Sequence, residues 1–64
     1  MHQSTVTLRK ARVVFETRSG DFRNRYLDIS EQPGDSAQTL RARASDAYRR
    51  RYGINQRIVA IHLS

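Results

Sequence analysis

Of the 12 Lys and Arg residues in this sequence only Lys10 is a lysine, so its surface chemistry belongs to guanidinium groups, whose planar forks meet phosphates, carboxylates and aromatic rings. Two clusters concentrate them. Tyr48-Arg49-Arg50-Arg51-Tyr52, preceded by Arg41 and Arg43 and followed by Arg57, is the denser. The other begins with Arg9, Lys10 and Arg12 and continues with Arg18, Arg23 and Arg25, among which Phe22 and Tyr26 interleave. Rings among arginines are what single-stranded nucleic acid uses: bases stack on the rings while phosphates meet the cations. Each cluster also has a purely structural explanation. Cations at a helix end offset the macrodipole, Arg18 can stack on Phe22, and Arg12 can pair with Asp28.

Materials for catalysis are scarce. The chain has no Cys, and its histidines, His2 and His62, stand at opposite ends. No two carboxylates share an element, so no nucleophile, base and orienting group come within reach of one another. His62 alternates with apolar residues and reads as an ordinary packed or edge histidine. Gly20, Gly34 and Gly53 are far apart, each with a turn or cap role, so no phosphate-cradling loop or nucleotide cofactor is implied. The expectation is a non-enzymatic binding protein with no cofactor and no catalytic or metal residues.

A net charge of +6 on 64 residues describes one small basic domain, residues 1–64, whose core has little to spare. Ile58-Val59-Ala60-Ile61 is the longest apolar run, far short of the roughly 20 residues of a membrane-spanning helix. The first ten residues carry neither the apolar stretch of a signal peptide nor the pattern of a transit peptide. A cytoplasmic location is the expectation.

The elements that must position these residues follow from periodicity. A strand is predicted over about 4–18, with Val6 and Leu8 in one phase and Ala11, Val13 and Phe15 in the other, which asks for a bulge near Arg9-Lys10. Ser19-Gly20-Asp21 turns the chain into a second strand over about 22–29. Pairing Val13 with Leu27, Ala11 with Ile29, Arg12 with Asp28, Val14 with Tyr26 and Arg18 with Phe22 gives a three-residue loop and an apolar inner face. A register one residue shorter buries Asp28 and Asn24 at about 1–3 kcal/mol each.

After Pro33-Gly34, Asp35 is the expected N-cap with Gln38 three residues on, opening a helix over about 36–52 that Gly53 ends. Ala37, Leu40, Ala44, Ala47, Tyr48 and Arg51 follow at helical spacing on the core side, with Arg51 snorkelling along its edge; Arg43 and Arg50 share a flank, and Asp46 pairs with Arg50. A last strand over about 57–63 puts Val59, Ile61 and Leu63 on one face and Ile58, Ala60 and His62 on the other.

Strand, strand, helix, strand makes the third strand antiparallel to the first if it lies beside it. The expected fold is therefore α+β, ββαβ, with a three-stranded antiparallel sheet of order 2-1-3 and one helix packed on one face. One helix leaves the other face open, with Arg12, Val14, Phe22, Tyr26 and either Ile58 or His62 upon it. That face and the helix end nominate Arg12, Arg18, Phe22, Arg23, Arg25, Tyr26, Arg43, Arg49 and Arg50 as residues that bind nucleic acid or a partner protein.

In general style, an Arg-rich chain of this length with a hairpin, one helix and a final strand resembles the small accessory proteins of bacteriophages and prophages. That resemblance implies a host or partner protein as the alternative ligand. A half-covered sheet can also close by forming a homodimer.

Overall fold

The computed structural model describes residues 7–64. In chain order it comprises β1 (Thr7–Glu16), β2 (Phe22–Glu31), α1 (Ala37–Tyr52) and β3 (Arg57–Leu63). The strands form one sheet in the order β2-β1-β3, with both pairings antiparallel. This is the expected α+β arrangement. His2, Val6 and the expected start of the first strand near residue 4 lie outside the described residues.

The helix packs on the sheet face that carries Ala11, Val13, Phe15, Leu27 and Ile29, all buried, and adds Leu40, Ala44 and Tyr48. Ala44 and Ala47 keep the middle of its inner side small, so the backbone lies close to the strands. Leu40 and Ala44 pack with Ala11 and Ile29 at one end; Tyr48 packs with Val13, Phe15 and Leu27 at the other. Ala37, nominated for the buried stripe, is exposed in the first turn, and Arg51 is exposed in the last. The Tyr48 ring lies 5.7 Å from Phe15 and 4.8 Å from Tyr52, centroid to centroid, and its hydroxyl donates to Gln56 Oε1. Burial pushes the Tyr48 phenol above its ordinary value of 10.0, with the Arg25 charge opposing.

Several local expectations are corrected. Strand β1 runs unbroken through Arg9-Lys10, pairing Arg9 with Ile29 and Lys10 with Asp28. No bulge is needed there because Leu8 is simply exposed, at 73%. The register shift lies instead in the β1–β3 pairing, where Val14 faces Ala60 but Phe15 faces Ile58. Val59 is the extra residue, and it turns outward so that Ile58, Ile61 and Leu63 all reach the helix side. Ile58 is therefore absent from the open face, whereas His62 is on it.

The hairpin register differs from the expected one by two residues. Ala11 faces Leu27, Arg12 faces Tyr26, Val14 faces Asn24 and Glu16 faces Phe22, so β1 ends at Glu16 and a five-residue loop, Thr17 to Asp21, replaces the three-residue one. Its own hydrogen bonds account for the length. Thr17 N donates to Asp21 O at 2.8 Å, Gly20 N to Thr17 O at 3.0 Å, and Asp21 N to Thr17 Oγ1 at 3.1 Å, with Gly20 at φ +89° where other residues are strained. Strand β2 continues two residues beyond Ile29 because Thr7 pairs with Glu31 and Arg9 Nη1 meets Glu31 Oε1 at 3.1 Å.

At the helix start the cap is Ser36, whose Oγ accepts from Thr39 N at 3.1 Å. Asp35, the expected cap, holds the preceding turn instead: Oδ2 accepts from Gln32 N at 2.9 Å and from Arg43 Nη1 at 2.8 Å. Arg43 Nη1 also donates to the Ser30 carbonyl, so one guanidinium ties the helix to the end of β2. The Arg43 hydrogen bond, then that of Gln32, holds the Asp35 carboxyl below its ordinary value of 3.8. A lowered folded value means this contribution is intact above about pH 3.8 and is lost as pH falls through the lowered one. Asp35→Asn is expected to flatten that acid limb in urea titrations run at successive pH values, and an unchanged limb would show that the contact contributes nothing.

Candidate functional site on the uncovered sheet face

The face away from the helix is built in rows that cross the three strands, because the registers fix which side chains stand side by side. Tyr26, Arg12 and His62 form the central row, from β2, β1 and β3 in turn. At the usual strand spacing of about 4.8 Å, the ring and the imidazole flank the guanidinium some 10 Å apart. To one side lie Asp28 and Lys10, with Ser64 donating from its backbone N to the Lys10 carbonyl at 3.1 Å. To the other lie Asn24, Val14 and Ala60, and beyond them Phe22, Glu16 and Arg57.

Phe22 and Tyr26 are 64% and 61% exposed, high values for rings on a regular strand. They sit four residues apart on β2, roughly 14 Å at the strand rise, a distance of about four stacked nucleotides in a B-form strand. Lys10 and Arg12 run alongside on the central strand. Neither makes an ion pair among the described residues, although Asp28 stands directly across from Lys10. Lys10, Arg12, Tyr26, His62, Leu63 and Ser64 enclose a depression of about 260 Å³.

The remaining nominated residues do not join this face. Arg23 and Arg25 have the parity of Leu27 and Ile29 and point to the helix side. Arg25 lies 4.2 Å from the Tyr52 centroid and 5.1 Å from that of Phe15, and Arg51 approaches Tyr52 at 5.5 Å; these cation–π contacts close the end of the core. Arg18 lies exposed in the hairpin loop, and Glu16 takes the place expected of it opposite Phe22. Nor does Arg12 pair with Asp28, since Tyr26 is its neighbour. Arg43 is held by Asp35 and Ser30. Arg50 meets Asp46 at 3.4 Å in a pair 82% and 71% exposed, worth at most about 0.5 kcal/mol. Arg49 is exposed at the helix end.

Four of the six residues that line the central depression, Lys10, His62, Leu63 and Ser64, are not among those nominated. The signal that places His62 is the opposite phase of Ile58 and Ile61: both must be buried, so an extra residue lies between them and His62 turns to the open side. Among the described residues no cluster of His, Cys, Asp or Glu is suited to a metal ion, and no helix is long and apolar enough to cross a membrane. Comparison of the chain with protein-family models, with curated proteins and with solved structures finds no match.

Proposed function

We propose that this chain is a small non-enzymatic binding protein whose uncovered sheet face engages single-stranded nucleic acid. The observation that carries the reading is the placement of two exposed rings, Phe22 and Tyr26, along one strand of the face away from the helix, beside Lys10 and Arg12, which make no ion pair among the described residues. Unpaired bases can stack on such rings, whereas a duplex hides its base faces, and phosphates then meet Arg12 and Lys10. The rings supply little sequence information, so affinity depends mainly on stacking and charge.

A partner protein, such as the host protein of a viral accessory factor, is the competing ligand. Anchors for a protein cluster in one desolvated centre. The anchors for such a partner would be Val14, Phe22 and Tyr26; Val14 is half-buried opposite Asn24, which leaves the two exposed rings apart along β2 and favours a stacked strand.

Fluorescence anisotropy with labelled single- and double-stranded oligonucleotides tests the proposal. The single strand is expected to bind more tightly, and two phosphate contacts give a slope of about −1.4 in log K against log salt. Absence of binding at about 50 mM salt, or a preference for the duplex, overturns it. A protein recovered equally with and without nuclease treatment supports the competing reading.

A further inference from the structure

We infer that the depression around Arg12 is a nucleotide subsite, which seats the phosphate and sugar of one nucleoside monophosphate unit with its base against the Tyr26 ring. This deepens the strand-binding reading and rests on it. Three observations converge. The lining supplies donors from separate strands, Lys10 and Arg12 on β1 and His62 on β3, all on the same face. The register puts a ring on one side of Arg12 and the imidazole on the other, so a phosphate held by the guanidinium has an aromatic surface within one strand spacing. The volume, about 260 Å³, falls just below the roughly 300–1,000 Å³ of pockets that enclose whole drug-sized ligands. It suits the charged part of a nucleotide and leaves the base outside on the ring.

Charge balance favours an anion here. Arg12 makes no ion pair among the described residues. Asp28 stands opposite Lys10 and not opposite Arg12. Ser64 lies at the rim, its hydroxyl proton committed to the Lys10 carbonyl at 3.1 Å, so the donors facing an anion are those of Lys10, Arg12 and His62.

Titration of the isotopically labelled protein with adenosine monophosphate, followed by amide shifts, is the test, with adenosine and inorganic phosphate as separate arms. The nucleotide is expected to move the amides of Lys10, Arg12, Tyr26 and His62 and to bind at least about tenfold more tightly than either fragment. His62→Gln and Lys10→Gln are each expected to weaken the nucleotide several-fold without moving the urea midpoint. Inorganic phosphate matching the nucleotide, or shifts confined to Arg49, Arg50 and Arg51, overturns the subsite. Retained oligonucleotide binding with no nucleotide binding overturns the subsite alone and leaves the strand-binding reading standing. Failure of both ligands overturns both.

Discussion

Replacing Tyr48 by alanine is expected to leave the chain unfolded at room temperature. The side chain is completely buried, meets Phe15 and Tyr52 ring to ring, and packs with Val13 and Leu27 at the end of the sheet where the hairpin turns. Truncating a buried aromatic residue to alanine costs about 3–5 kcal/mol. A core of this size supplies rarely more than about 3–5 kcal/mol in all. The loss thus equals the whole margin, because Tyr52, the other large side chain of α1 at that end, is only half-buried and cannot fill the space. Tyr48→Phe separates packing from polarity, since it removes only the hydroxyl that donates to Gln56 and is expected to cost about 1 kcal/mol. Circular dichroism through a urea titration reads both variants. A cooperative Tyr48→Ala transition near the wild-type midpoint would show that the core does not depend on this ring.

The second large effect concerns binding. Phe22→Ala combined with Tyr26→Ala is expected to lower affinity for a single-stranded oligonucleotide by about 2–6 kcal/mol, taking stacking at about 1–3 kcal/mol per base. Adding the two effects is justified because the rings stand roughly 14 Å apart and share no partner. Both rings are more than half exposed, so the urea midpoint is expected to stay within about 0.5 kcal/mol of wild type. The salt slope is also expected to persist, because Lys10 and Arg12 remain. Arg49→Glu with Arg50→Glu provides the contrast: those side chains lie at the helix end, away from the rows, and act only through the general field. If that pair abolishes binding while the double alanine variant does not, the strand lies at the helix end and the open-face site is wrong.

Much of the fold is legible before any coordinates because the signals are local. Pro33-Gly34 and Gly53 bracket the helix, and the parity of Ala11, Val13, Phe15, Leu27 and Ile29 identifies the inner face of the hairpin. The strand order follows from the connections alone. Register was harder, since sliding the hairpin by two residues keeps every one of those five side chains on the inner face, and the burial pattern cannot choose between the two pairings. The choice is made by Thr17, Gly20 and Asp21, which complete a hydrogen-bonded five-residue loop. Leu8 misleads in the opposite sense: its phase asks for a bulge only if the leucine is buried, and single exposed apolar residues are common.

The candidate site was half legible for the same reason. Phe22, Tyr26 and Arg12 are placed by parity, which both registers share. Their neighbours depend on register and on Val59, so Arg23 and Arg25 were grouped with rings that face the other way. Composition offers no help here, because an arginine in a cation–π stack over Tyr52 and one beside an unfilled depression look alike in a sequence.

The outward turn of Val59 bears also on how the molecule behaves in a crowd. A sheet of three strands ends in two unpaired edges, and a flat, regular edge is a template on which a further copy can lay its own strand, then another, until a fibre grows. On the β3 side that template is interrupted in the middle of the strand by the extra residue; on the β2 side the Arg43 guanidinium occupies the Ser30 carbonyl. The shift at Val59 and the Arg43–Ser30 contact thus each interrupt one edge at one point, which makes both edges poorer templates for sheet growth.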